Sequence, residues 1–154
     1  MTGRILRLAL AVLAAGLVPA TAQAQKLDLT ITPGVITFPS SDPDTVPIVT
    51  AAPVEVSYRV RQNNNSTWTL TVLAGGDLNS GSSTIDISNV TWIATPAPPF
   101  QTGTLSKAVA QTLASGNGNA NPAKTGSIIF RVANSWMYDA GTYTQTIVFT
   151  LSVP

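Results

Sequence analysis

The chain has 154 residues, of which 44% are hydrophobic and 10% charged, with no Cys and no His. One domain with enough apolar material for a real core is the expectation at this length. The missing residue types exclude a Ser-His-Asp triad, a Cys nucleophile, disulfides and the ordinary zinc or iron ligand sets.

The formal charge of +1 includes Arg4 and Arg7, which precede an apolar run at 8–18, then Pro19 and the small-residue stretch around Ala22, Gln23 and Ala24. That is the basic, apolar and A-x-A order of a secretory signal peptide. The run is too short to cross a bilayer, which takes ~20 residues. We therefore expect a signal peptide at 1–24 and one secreted domain at 25–154, with no stable membrane span once the leader is cleaved. No Cys follows the apolar run to carry a lipid. Residues 25–154 hold six bases (Lys26, Arg59, Arg61, Lys107, Lys124, Arg131) against seven acids (Asp28, Asp42, Asp44, Glu55, Asp77, Asp86, Asp139), a net charge of −1. No basic field exists there to draw nucleic acid or an anionic membrane.

Beyond the leader, nearly every segment alternates with period two. Leu27, Leu29 and Ile31 come first, then Val54, Val56, Tyr58 and Val60, then Trp68, Leu70 and Val72. Ile128, Phe130 and Val132 follow, and last Ile147, Phe149, Leu151 and Val153. One buried and one wetted face per strand marks an antiparallel sheet. The 19 Thr after residue 24 fit the pleat on the wetted faces. Asn, Gly, Ser and Asp clusters at 63–66, 75–77, 79–81, 117–119 and 139–141 punctuate the runs as turns. Pro96, Pro98 and Pro99 make 95–102 a loop or edge crossing. Only 105–113 has helical potential, and Val109, Gln111 and Leu113 fit a short strand equally well. The expected fold is all-β: a single immunoglobulin-like antiparallel β-sandwich of seven to nine strands with Greek-key connections, a closed barrel standing second.

Candidate sites are few. Asp42 and Asp44 could offer oxygens to calcium, but loop carboxylates more often cap turns, so no metal or cofactor is expected. The acids sit on strand exteriors and in polar turns, where nothing raises a pKa for glycoside hydrolysis, and no catalytic residue is assigned. Trp68 falls on the inward phase of its strand. The 136–138 loop, with Trp136 and Tyr138, is the candidate exposed aromatic surface, although packing at the core's edge is the favoured reading. N-glycosylation triplets occur at 64–67 and 89–91.

The stretch from Gly141 to the end is the most informative. A strand this long and apolar is an aggregation hazard as an open edge, so it must find partners on both sides. Gly141 is expected to supply a positive φ at the turn that launches it. Gly141, Tyr143, Ile147, Phe149, Leu151 and Val153 resemble the C-terminal β-zipper of chaperone–usher pilins and the end of spore-coat-protein-U-like secreted proteins. The resemblance implies a last strand that binds a periplasmic chaperone and later an N-terminal strand of the next subunit. Leu27, Leu29 and Ile31 would then be the donor. A second resemblance, to the WxL cell-surface domain, rests on Trp68-Thr69-Leu70 with Tyr143 and Phe149-Thr150-Leu151, and implies attachment to a cell-wall polymer. The expectation is a non-enzymatic subunit of the bacterial surface, periplasmic or extracellular, whose partners are itself, related subunits and a chaperone. The alternative is a self-complete module that binds cell wall or carbohydrate.

Overall fold

Alternation of apolar and polar side chains organises this sequence into two sheets. The computed structural model describes residues 25–154; the leader expected at 1–24 lies outside the described residues. In chain order the strands are β1 (Lys26–Thr32), β2 (Val35–Phe38), β3 (Ile48–Thr50), β4 (Val54–Arg61), β5 (Thr67–Ala74) and β6 (Leu78–Ser80). There follow β7 (Ser83–Ile85), β8 (Val90–Thr95), β9 (Gly103–Thr104), β10 (Gln111–Asn117), β11 (Ala120–Ala133) and β12 (Tyr143–Ser152). The segment weighed as a helix is strand from Gln111 onward, and Leu113 is buried in it.

The first sheet runs β1-β4-β11-β8-β9, with β3 also on β11. The second runs β10-β5-β12-β6-β7, with β2 also on β12. Together they form an antiparallel β-sandwich. In the lettering of an immunoglobulin sandwich, whose sheets are A-B-E-D and C-F-G, the strands β1, β4, β11 and β8 take A, B, E and D. The pair β5 and β12 takes C and F, and chain order is kept throughout. β10 flanks C on its outer side. The structure has twelve strands where seven to nine were expected: the five alternating runs are β1, β4, β5, β11 and β12, and five of the additional strands have only two to four residues, too few to show a period.

The core lies between the sheets. Val54, Val56, Tyr58 and Val60 of β4 face Trp68, Leu70, Val72 and Ala74 of β5, all buried. Tyr58 stands 5.0 Å from Trp68 and meets Phe100 edge-on at 5.6 Å, ring centroid to centroid. Offset and edge contacts of this kind add to the area term. Trp68 and Trp92 each need a glycine opposite them on the neighbouring strand. Gly116 pairs with Trp68, and a Cβ there would come within 2.6 Å of the ring; Gly103 does the same for Trp92. The Trp92 indole N–H then reaches the Gln101 carbonyl at 2.7 Å.

The turn into β12 is pinned by Tyr143, whose hydroxyl donates to the Asp139 carbonyl at 2.9 Å. This is the tyrosine corner that starts strand F in immunoglobulin sandwiches. Gly141 does not have the expected positive φ; only Gly81 and Gly118 do among the described residues. Its reason is space instead. A Cβ at 141 would collide with the Ser80 side chain, because β6 crosses close beneath the turn.

Burial predicts unequal costs along the two neighbouring strands of the second sheet. Leu70→Ala removes a fully buried side chain and should lower the unfolding free energy by about 2–5 kcal/mol. Leu151→Ala, directly across the ladder, should cost about half of that or less, because its side chain is only half-buried. Urea unfolding of both variants checks the contrast.

Candidate functional site

The residues singled out in β12 divide into two halves. Its first half is held on both edges. Tyr143, Thr144, Gln145 and Thr146 pair with β2, while Thr144 also meets Asn79 of β6. Its second half, from Ile147 to Ser152, pairs with β5. On the opposite edge the last contact is the Ile147 N–H to the Gly34 carbonyl at 3.4 Å. Among the described strands, none accompanies that edge along 148–152. The local cause is at 33–34, where the chain leaves β1 in the first sheet and enters β2 in the second. Pro33 has no N–H with which to extend a ladder.

Strand alternation decides which groups face this opening. Main-chain N–H and C=O of one residue point to the same side, and sides alternate along the strand. Ile147 points to the β2 edge, so Phe149 and Leu151 do too. Their side chains point inward yet stay half-buried, unlike Leu70 and Val72 across the ladder. Across the gap lies β1, paired with β4 in unbroken register from Lys26↔Arg61 to Thr32↔Glu55. Leu29 and Ile31 of β1 are half-buried against the same core as Phe149, Leu151 and Val153. Along this side, then, no strand pairing joins β12 to a neighbour at 148–152, and the partly buried Leu29 and Ile31 of β1 and Phe149 and Leu151 of β12 lie beside that unpaired edge, or seam, among the described strands. Leu27, the first of the three candidate donor residues, is 37% exposed. In this arrangement β1 is an edge strand of its own domain.

The aromatic candidates lie at the end of the sandwich where β12 begins. Trp136 is 71% exposed and Met137 89%, whereas Tyr138 is half-buried against the core. The Trp136 indole N–H donates to Asp44 at 3.2 Å, which joins the 136–138 loop to the loop after β2. Between these loops is a cavity of about 380 Å³, floored by Phe38, Val49 and Val132 and rimmed by Asp42 and Asp139. Asp42 itself is a turn cap, accepting from the Asp44 N–H at 2.9 Å. Sequence reasoning missed this cavity, because nothing local shows that 39–43 and 134–141 converge. No group of three or more acids gathers into a metal set among the described residues. Nor is any described helix long and apolar enough to cross a membrane. Glu55 is exposed.

Two charge clusters remain. Asp28 accepts from Arg59 at 2.6 and 2.8 Å, with Arg61 and Lys26 at 3.7 and 3.9 Å. The Arg59 hydrogen bond holds its carboxyl below the ordinary value. Lys107 reaches Asp77 at 2.7 Å and Asp86 at 3.7 Å. The Lys107 hydrogen bond lowers Asp77 and raises Lys107 in return, while hydrogen bonds from Ser88 lower Asp86. These groups are solvent-accessible, so the ion pairs steady local geometry and contribute little to stability.

Compared with protein-family models, with curated proteins and with solved structures, the chain matches none.

The three lowered carboxyls fix a pH dependence. A carboxyl with a depressed folded pKa contributes fully above its unfolded value, near ~3.9, and loses that contribution as pH falls through the folded value. With no His, no side chain has an ordinary pKa between 5 and 7. The urea midpoint should thus be flat from pH 5 to 7 and decline below about pH 4. Asp77→Asn should make that acid decline shallower.

Proposed function

We propose that this protein is an exported, non-catalytic structural subunit of the bacterial surface that assembles by β-strand addition at the open edge of β12. The observation that carries the reading is the unaccompanied edge at 148–152. In an immunoglobulin sandwich the G strand sits beside F; here the F-equivalent β12 has β2 along its first half and no described strand along its second. An added strand would take the main-chain groups of Phe149 and Leu151 and cover the half-exposed Phe149, Leu151, Leu29 and Ile31. Backbone pairing supplies affinity in such an addition, and alternate side chains entering the seam supply specificity.

The donor in this reading is β1 of a second copy. It is bound to its own sheet on one edge only, and its alternating Leu27, Leu29 and Ile31 suit an apolar seam. Moving from β4 to the β12 edge of a second copy would replace one antiparallel backbone ladder of β1 by another. A periplasmic chaperone would hold the same edge before assembly. The leader expected at 1–24 supports export and would leave Gln25 as the first residue, which the intact mass of the exported protein checks.

Absence of native Cys permits a clean test. Thr30 and Ser57 are direct partners in β1 and β4. The double variant Thr30→Cys with Ser57→Cys should form a disulfide that holds β1 in its own domain. Polymer seen by negative-stain imaging should then vanish under oxidation and return on reduction. Leu151→Arg, which places a charge in the seam, should block assembly in a monomer that still folds, at a stability cost no smaller than that of Leu151→Ala. Polymer that persists in the oxidised variant would exclude β1 as donor. A wild-type protein that stays monomeric would favour a self-complete wall- or carbohydrate-binding module instead.

A further inference from the structure

Charge is separated along the sandwich although residues 25–154 are nearly neutral. Register places Lys26 opposite Arg61, Asp28 opposite Arg59 and Lys124 opposite Tyr58. Four bases and one acid, a net of +3, therefore share one half of the first sheet. The rest of the sandwich, chiefly in loops that serve both sheets, holds Asp42, Asp44, Asp77, Asp86 and Asp139 with Lys107 and Arg131, five acids and two bases, a net of −3. Glu55, opposite Thr32 and Ser127, lies between. Of these five acids, Asp77 and Asp86 share Lys107, whereas the three around the cavity have no ion pair among the described residues.

We propose that the cavity end, with its exposed Trp136 and Met137, is a docking surface for the basic half of a second copy's first sheet. Charge complementarity within one chain selects that occupant. No Lys or Arg lines the cavity, so a basic visitor meets no like charge there, only the carboxylates of Asp42 and Asp139, uncharged polar groups such as Ser40 and Asn134, and an apolar floor. Lys26 and Arg61 of the incoming copy can lay their aliphatic stems against that floor and keep their charged heads at Asp42 and Asp139. The indole of Trp136, steadied by Asp44, offers its face to a guanidinium. Such a contact joins two different patches, so it repeats head to tail and does not close on a dimer. It does not rest on strand addition, because the cavity lies at the end of β12 remote from the open edge.

The oxidised Thr30→Cys, Ser57→Cys protein separates the two, since β1 is held there. In sedimentation velocity it should associate at 20 mM NaCl, with the dissociation constant at least about tenfold weaker at 500 mM, where screening is stronger. Association should also shift indole emission to the blue, because Trp136 is exposed while Trp68 and Trp92 are buried. On that background, Asp42→Lys with Asp139→Lys, and separately Lys26→Glu with Arg61→Glu, should each abolish association, and an equal mixture should restore it. A locked protein that remains monomeric at 20 mM NaCl overturns the proposal. So does association unchanged by salt, or a pair of reversed variants that melt like their parent yet do not associate when mixed.

Discussion

One unpaired strand edge governs the rest of this molecule. Main-chain groups that point out of a sheet must find water or another strand, and a long apolar strand with a free edge invites the second outcome. Along 148–152, β12 has β5 on one side and no described strand on the other. The core on that side is accordingly unfinished. Phe149, Leu151, Leu29 and Ile31 are half-covered where their neighbours one strand inward are fully buried. The closed side of the sandwich, β4 against β5, carries the fully buried core, and the proposed assembly would use the other side.

The same geometry explains how the two ends differ. At the end where β12 begins, the tyrosine corner, the Gly141–Ser80 approach and the Trp136–Asp44 bond fix the loops over a cavity. At the other end, buried Gln62 ties the turns, donating from its amide to the Ser66 and Gly118 carbonyls at 2.7 Å. Both ends are thus built on specific hydrogen bonds, while the long side between them is left to backbone edges and apolar side chains. The proposed electrostatic contact and the proposed strand addition would respond to different conditions. Salt acts on the first; only an occupied or locked strand acts on the second.

Much of the fold was legible because period-two patterning is a direct imprint of a half-buried pleat. Val54, Val56, Tyr58 and Val60 declared β4, and Trp68, Leu70 and Val72 declared β5, each with the buried face that the structure shows. The short strands β2, β3, β6, β7 and β9 were not legible, since two to four residues carry no period. Gly141 was read through backbone conformation when its requirement is steric, and the Ser80 side chain that imposes it is 61 residues away in sequence. The cavity and the charge separation were hidden for a similar reason. Composition sums charges, whereas strand register decides where each one lies.

The most direct test of the open edge is hydrogen exchange resolved by residue across β12. Amides of Thr150 and Ser152, which face β5, should be protected, and those of Phe149 and Leu151 should exchange quickly in the monomer. Adding a peptide with the sequence of residues 26–32 should slow Phe149 and Leu151 selectively. Equal protection of all four amides in a verified monomer would contradict the account, because it would mean that the edge already has a partner.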